Sequence, residues 1–329
     1  MRSTIQCLLA VICLCFLILP SCQEEDIFLE IREPEVVELV NDEYVEQNQW
    51  IYSVMKEYYL WNNQLKDSLL YNYSLEPESF FYSMLVAEDR FSYCEVNDDY
   101  VATKGVNLNE TVRVDSIYTI GNRSVGYFYY TEFDTEADVT DIILKFQDVD
   151  EVIVDVRDNP GGFIRTCRYL SSLLIPEEAA GKVFCSYEYN QTISARNRQE
   201  TGDERTYDYF FDTRLVKERG LNLDRVFFLT SKWSASCSEM IISCLKPYMQ
   251  VITIGETTIG KDVGMRTQSS RRCKYVLHPI TFRTYNAYGE PVPTTGLVPD
   301  IYVDNTNPEL LGSTEEPLLG RALQEIINN

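Results

Sequence analysis

Residues 152–162 read VIVDVRDNPGG, and this stretch decides the fold of the chain. Its first five residues form a continuous run typical of a strand buried on both faces. The glycine pair Gly161 and Gly162 allows a sharp turn and close approach of a ligand. A helical pattern from Ile164 to Leu174 follows and stops before Pro176. The stretch therefore predicts a strand, a tight turn and a helix in direct succession.

Further strand and helix patterns alternate on both sides of this unit. A strand at 125–130 and a helix at 139–146 precede it, and a strand at 226–229, a helix at 240–245 and a strand at 251–254 follow it. Alternation of this kind predicts an α/β domain with covered parallel strands.

The remaining patterns divide the chain. Apolar stripes with helical spacing at 50–59 and 80–85 predict a small N-terminal helical unit over 47–93. A turn-rich connection at 94–122 leads to the core at 123–329. Residues 185–222 are polar and aromatic with little periodicity, which predicts a long excursion over the surface that could line a substrate cleft.

Composition excludes two classes of function. The chain has 51 acidic and 29 basic residues, a formal net charge of −22, which argues against nucleic-acid binding. Its single histidine, His278, excludes a multi-histidine metal site. Six cysteines follow residue 22 without a CxxC spacing, so neither a zinc site nor a disulfide framework is predicted, and most are expected to be buried: Cys94, Cys167, Cys185, Cys237, Cys244 and Cys273.

The first residues have the plan of an export signal. Arg2 precedes an apolar run at 7–19 that is too short to span a bilayer, which predicts a signal peptide at 1–21. The ending Leu19-Pro20-Ser21-Cys22 resembles a bacterial lipobox, which implies a lipid on Cys22; an ordinary cleaved signal is the alternative. Residues 22–46 are strongly acidic and predict a solvated tether. These features predict that the protein is anchored by a lipid in the bacterial cell envelope, on its periplasmic or cell-surface face.

Three strand ends carry candidate chemistry. The turn Asp155–Gly162 could offer N–H groups to an oxyanion, or be only a turn. Ser234–Glu239 fits a nucleophile elbow, although Ser236 and Glu239 also fit a helix capping box. Gly255–Lys261 resembles a phosphate loop, but Asp262 stands where the hydroxyl residue is needed. Lys261, beside a glycine at a strand end, could instead be partly buried, with its pKa lowered enough to act as a base.

Together these segments resemble the tail-specific, or C-terminal processing, serine peptidases, which use a Ser/Lys dyad on a ClpP/crotonase-like core. The resemblance covers roughly residues 50–303 and includes Thr295–Ile301, which is similar to a C-terminal signature of the family. It implies that Ser236 is the nucleophile and that Lys261, 25 positions later, is the general base. It also implies an oxyanion hole made by the N–H groups of Gly161 or Gly162 with that of Cys237.

The sequence departs from the family in two respects. The interval before the core is too short for the peptide-binding PDZ module that members usually insert there. Some relatives orient the lysine with residues that correspond here to Met265 or Pro247, neither of which is suited to the task. Glu239 is a candidate for this supporting role, and helix capping explains it equally well.

The sequence therefore predicts a serine-type endopeptidase that forms an acyl-enzyme. The expected partners are protein or peptide substrates and a membrane that the protein reaches through its N-terminal lipid. The predicted reaction needs no metal or cofactor. Two alternatives stay open: a catalytically silent lipoprotein of the same fold that binds peptides or other ligands, and, more remotely, an acyl-CoA enzyme of the wider crotonase-like group. A structural role is expected for His278.

Overall fold

The computed structural model of the protein describes residues 42–97, 111–304 and 310–328. The predicted signal peptide, the lipid site Cys22 and most of the acidic tether lie outside these residues. Within the part of the chain that is described, no helix combines the length and apolar character needed to cross a membrane.

Helices and strands alternate along the chain. The α-helices are α1 Asp42–Tyr58, α2 Pro77–Ser83, α3 Glu136–Lys145, α4 Ile164–Leu174, α5 Gln191–Thr201, α6 Arg214–Arg219, α7 Cys237–Leu245 and α8 Pro317–Asn328. The strands are β1 Tyr93–Val96, β2 Val112–Ile120, β3 Arg123–Tyr130, β4 Glu151–Asp155, β5 Val183–Tyr189, β6 Thr206–Tyr209, β7 Arg225–Thr230, β8 Gln250–Gly255, β9 Val263–Met265, β10 Tyr275–His278, β11 Ile280–Tyr285 and β12 Ile301–Tyr302.

Strand β4 lies inside a six-stranded sheet of order β12-β8-β7-β4-β3-β2. All neighbours in it pair in parallel except β2, which runs antiparallel to β3 at one edge. Val152 and Val154 pack with helices α3, α4 and α7 on one face, whereas Ile153 packs with α8 on the other. Helices on both faces explain the continuous apolar run and confirm the predicted α/β fold, although α8 is not among the predicted helices.

The sheet begins earlier in the chain than predicted. Residues 94–122 were expected to form a turn-rich connection, but β2 pairs with β3 from Val112 to Ile120 through a tight turn at Gly121. Partly buried and exposed positions alternate along this edge strand, so its apolar signal in the sequence is weak. Residues 98–110 of the connection lie outside the described ranges.

Residues 185–222, whose sequence shows little periodicity, form regular elements instead of a plain surface excursion. This stretch contains most of β5, all of α5 and β6, and α6, and the two strands join β11 and β9 in a four-stranded antiparallel sheet of order β6-β5-β11-β9. Helix α5 has no buried residue and therefore no apolar stripe. Strand β5 is mostly buried despite its Ser and Glu side chains, which conceal the strand pattern.

Two helices near the N-terminus form the helical unit that the apolar stripes predict. Ile51 and Met55 of α1 share a buried cluster with Phe80 and Phe81 of α2. Cys273, Tyr275 and Leu277 of the core belong to the same cluster, and β1 pairs with β10. The helical unit therefore packs directly on the part of the chain that follows the third candidate loop.

Candidate active site

The three candidate loops follow neighbouring strands of the six-stranded sheet. The glycine pair follows β4, Ser236 follows β7, and Lys261 follows β8. Because these strands are parallel, their carboxyl ends meet at one edge, where α/β folds place their binding sites. The sheet therefore brings together segments that lie about a hundred residues apart in the sequence.

Ser236 occupies a strained turn at the start of α7. Its φ angle is 55°, and among the described residues only Asn222 is another non-glycine residue with positive φ. A non-glycine residue in such a conformation costs on the order of 1–3 kcal/mol and occurs preferentially at functional sites. Gly161 lies against this turn, because a Cβ at position 161 would stand 2.8 Å from Cβ of Ser236. The Ser236 turn therefore leaves no room for a side chain at position 161, and glycine is needed there.

The two glycines differ in how their N–H groups are used. The Gly161 N–H donates to Oδ1 of Asn159 at 2.8 Å, whereas the Gly162 and Cys237 N–H groups have no acceptor within the described residues. Gly162 has a φ of 137°, and a Cβ there would lie 2.4 Å from the carbonyl oxygen of Phe133. Of the N–H groups that the sequence suggested for an oxyanion hole, those of Gly162 and Cys237 are available.

A buried carboxylate joins the serine turn to the lysine loop. Glu239 has no exposed surface. Its Oε2 accepts hydrogen bonds from the N–H groups of Ser236 at 3.0 Å and Lys261 at 2.8 Å. Its Oε1 accepts from the Gly260 N–H at 2.6 Å and from the Thr258 hydroxyl. Glu239 therefore contacts the start of α7, as a capping residue would, and also holds the backbone of the loop that carries Lys261.

The side chain of Lys261 is largely withdrawn from water. Burial lowers the pKa of its ammonium group from the ordinary value, although the Cys237 thiol and the carboxylates of Glu239 and Asp89 act in the opposite direction. Its Nζ lies 5.3 Å from the centre of the Phe91 ring. The environment therefore favours the neutral amine, which is the form that can accept a proton.

The C-terminal motif Thr295–Ile301 supports the lysine loop. The Leu297 N–H donates to the Thr258 hydroxyl at 2.8 Å, and the Thr258 N–H donates to the Leu297 carbonyl at 3.2 Å. Gly296 has a φ of 93°, and its missing Cβ would overlap the Thr258 carbonyl oxygen. The motif thus has a structural task beside the site.

Ser236, Lys261 and Gly162 line one cleft of about 950 Å³. Other lining residues come from the four-stranded sheet and the loop after β6. The aromatic ones among them are Tyr187, Tyr189, Tyr207, Phe211 and Phe282. Arg168 pairs there with Asp208 at 2.8 Å. No hydrogen bond joins Ser236 Oγ to Lys261 Nζ within the described structure, and bonds of this kind often tighten only when substrate binds.

His278 also lines the cleft, a position that the sequence did not indicate. Its ring stacks on Tyr93 with 4.3 Å between centres. Nδ1 lies 3.1 Å from the Thr267 hydroxyl and Nε2 lies 3.1 Å from a Glu95 carboxylate oxygen. Both ring nitrogens therefore have partners other than Ser236.

The structure contains a buried ion cluster, next to the glycine turn in the sequence, that the sequence did not indicate. Arg157 is 1% exposed and forms hydrogen bonds with the carboxylates of Asp155 and Glu316. Its carbonyl oxygen accepts a hydrogen bond from the Ser231 hydroxyl, which links the strand ends of β4 and β7. Glu316 lies far along the chain at the start of α8, so no local pattern could reveal this pair.

Neither a metal-binding cluster nor a disulfide is found among the described residues. No group of three or more His, Cys, Asp or Glu side chains in the described ranges is arranged to hold a metal ion. The six cysteines that follow residue 22 are free, and all of them are buried, as expected.

Comparison with known proteins identifies the family. The profile of peptidase family S41 matches residues 124–303, more than half of the chain, and that of the S41 N-terminal domain matches residues 46–93. The chain therefore belongs to peptidase family S41, and the resemblance to the tail-specific peptidases is confirmed.

Individual proteins share part of the sequence or the fold of this chain. A tail-specific protease of Haemophilus influenzae is 28% identical over 134 residues, which is 40% of this chain but only 16% of that protein. A Bacteroides fragilis protein assigned to the S41 proteases has the same fold, with a TM-score of 0.72 and 20% identity over 85% of this chain and 97% of its own. A Streptococcus agalactiae lipoprotein matches with a TM-score of 0.55 and 13% identity over 86% of this chain and 97% of its own.

Proposed function

We propose that the protein is a serine endopeptidase in which Ser236 is the nucleophile and Lys261 is the general base. One observation carries this proposal: the strained Ser236 turn and the water-shielded Lys261 line the same cleft, and Glu239 holds their backbones together. Membership of peptidase family S41 supports a protein or peptide substrate.

The proposed reaction proceeds through an acyl-enzyme. The neutral Lys261 amine takes the proton from Ser236 Oγ as that oxygen attacks the carbonyl carbon of the peptide bond. The N–H groups of Gly162 and Cys237 donate hydrogen bonds to the oxyanion that develops. When the tetrahedral intermediate collapses, the C–N bond breaks and the leaving amine receives the proton from Lys261. Water, deprotonated by the same lysine, then hydrolyses the ester.

The dyad is tested by labelling with a fluorophosphonate, which reacts with an activated serine. We expect wild-type protein to be labelled, Ser236→Ala to be unlabelled and Lys261→Ala to be nearly unlabelled, because the two groups act as a unit. Ser238→Ala is the matched control, because the buried Ser238 hydroxyl donates to the Asn159 carbonyl at 2.9 Å and is not part of the proposed dyad. The folded variant should therefore still be labelled. His278→Ala should also be labelled. Loss of labelling in His278→Ala with normal labelling of Lys261→Ala would replace the dyad by a Ser/His mechanism.

A catalytically silent peptide-binding protein is the second candidate. The missing hydrogen bond between Ser236 Oγ and Lys261 Nζ in the described structure, together with the aromatic cleft wall, favours it. Folded wild-type protein that binds peptides but resists labelling between pH 7 and pH 10 would establish this alternative.

We also propose that the protein is anchored in the cell envelope by a lipid on Cys22. The lipobox-like sequence and the acidic tether support this proposal. Mass spectrometry of the protein expressed from its full sequence should find a lipid-modified N-terminus at Cys22, whereas an unmodified N-terminus at another residue would refute it.

A further inference from the structure

The lysine loop receives contacts from a segment that none of the candidate motifs includes. This segment, Asp89–Ser92, lies at the end of the N-terminal helical unit, between α2 and β1. The Arg90 guanidinium donates hydrogen bonds to the carbonyl oxygens of Gly260 at 2.7 Å and Thr294 at 3.2 Å. Arg90 therefore joins the residue directly before Lys261 to the loop that precedes the C-terminal motif.

Phe91 lies against Lys261 itself. The centre of its ring is 5.3 Å from Lys261 Nζ and 4.7 Å from the guanidinium carbon of Arg90. Phe91 is half-buried, so its ring occupies space beside the amine that water would otherwise fill.

The segment is itself firmly held. Asp89 accepts hydrogen bonds from the N–H groups of Phe91 and Ser92 at 3.0 and 2.9 Å. Its other oxygen accepts from the hydroxyl of Tyr59, a fully buried residue of the helical unit, at 2.9 Å. The Ser92 hydroxyl accepts from the Ile280 N–H at 2.8 Å. Both the helical unit and strand β11 thus fix the position of the Phe91 ring.

We propose that Asp89–Ser92 is a positioning segment for the general base, in which Phe91 excludes water from the Lys261 amine and Arg90 fixes the loop that carries it. This inference rests on the proposed role of Lys261. It assigns the N-terminal helical unit a part in the chemistry, although that unit supplies no catalytic residue.

Two effects of the Phe91 ring oppose each other. The ring face attracts an ammonium ion, whereas exclusion of water favours the neutral amine. Burial is the first cause of the lowered Lys261 pKa, and the proposal assigns part of that burial to the Phe91 ring. Other charged and titratable groups near the amine are Asp89, Glu239, the Cys237 thiol and Arg90, whose guanidinium also lies near the Phe91 ring. His278 and Tyr93 line the same cleft.

The test compares Phe91→Ala with Phe91→Leu by the rate of fluorophosphonate labelling between pH 6 and pH 10. Alanine admits water to the amine, so its labelling rate should fall roughly threefold to tenfold at pH 7, and the difference from wild type should shrink as the pH rises towards 10. Leucine keeps the apolar cover and should retain the wild-type pH profile. Arg90→Gln should lower the rate by a similar factor at every pH, because it loosens the loop without uncovering the amine.

The outcomes separate this inference from the proposed function. If Phe91→Ala loses the same fraction of activity at all pH values, or none, Phe91 has only a structural role and the inference is overturned. If Lys261→Ala labels normally, the base assignment fails before the inference is reached. A melting temperature for each variant confirms that the rates refer to folded protein.

Discussion

The buried Glu239 carboxylate offers the sharpest test of how the site is assembled. In Glu239→Gln the shape is kept, but one oxygen becomes an NH₂ group that cannot accept a hydrogen bond. Two of the four hydrogen bonds to the carboxylate are therefore lost, either those from Thr258 and Gly260 or those from Ser236 and Lys261.

The size of the effect follows from these contacts. A hydrogen bond to a charged group contributes about 1.5–3 kcal/mol to stability, so the loss of two lowers the free energy of unfolding by about 3–6 kcal/mol before any compensation. Removing a buried charge offsets part of this cost, and we expect the free energy of unfolding to fall by about 3 kcal/mol. The nucleophile and base also lose their common support, and small misplacements of reacting groups cost up to about 100-fold in rate. The labelling rate should therefore fall about tenfold to 100-fold.

The assay pairs urea denaturation with fluorophosphonate labelling of the folded protein. Glu151→Gln is the matched control, because Glu151 is 5% exposed, accepts hydrogen bonds from Arg225 and lies at the far end of β4. It should lose stability and keep the wild-type labelling rate. If Glu239→Gln is destabilised but labels as fast as wild type, the carboxylate does not align the two loops and the reasoning is refuted.

Three further predictions concern pH, stability and substrate. Because burial lowers the pKa of Lys261 and the neutral amine is the base, labelling should weaken as the pH falls through that lowered value and level off above it; a rate that does not change with pH contradicts this. Glu316→Ala removes one partner of the buried Arg157 and should lower the free energy of unfolding by about 3–5 kcal/mol in urea denaturation, whereas a loss below about 1 kcal/mol contradicts the role of the ion cluster. The short interval before the core predicts that the protein lacks a PDZ module to capture a free C-terminus; on that prediction, matched peptides with free and amidated C-termini should be cleaved at similar rates, and a large preference for the free acid would reject it.

Much of the site could be predicted from local sequence. The apolar runs of β4, β7 and β8 and the small residues that follow them indicate strand ends, and parallel strands present their carboxyl ends at one edge. Gly161 and Ser236 are informative because a turn with positive φ restricts which residues are tolerated there. Their roles in catalysis remain predictions.

Other features left weak or misleading signals. Strand β2 is an edge strand with one partly exposed face, and α5 has no buried side, so neither produces a strong apolar period. Strand β5 is buried although it contains polar and aromatic side chains. These side chains form hydrogen bonds with neighbouring strands, such as the one from the Tyr187 hydroxyl to Asp208. Patterns that report burial fail where burial is partial or where polar groups are satisfied.

The sequence by itself determined the α/β class, the N-terminal helical unit and the three loops that carry Gly162, Ser236 and Lys261, because these depend on local periodicity and on residues with special backbone freedom. Only the tertiary structure decided that Glu239 bonds to both loops, that the Phe91 ring lies beside the Lys261 amine, and that Asn159 accepts the hydrogen bond from the Gly161 N–H. Such contacts join atoms brought together by the packing of distant segments, and hydrogen bonding depends on distances and angles that spacing along the chain does not specify.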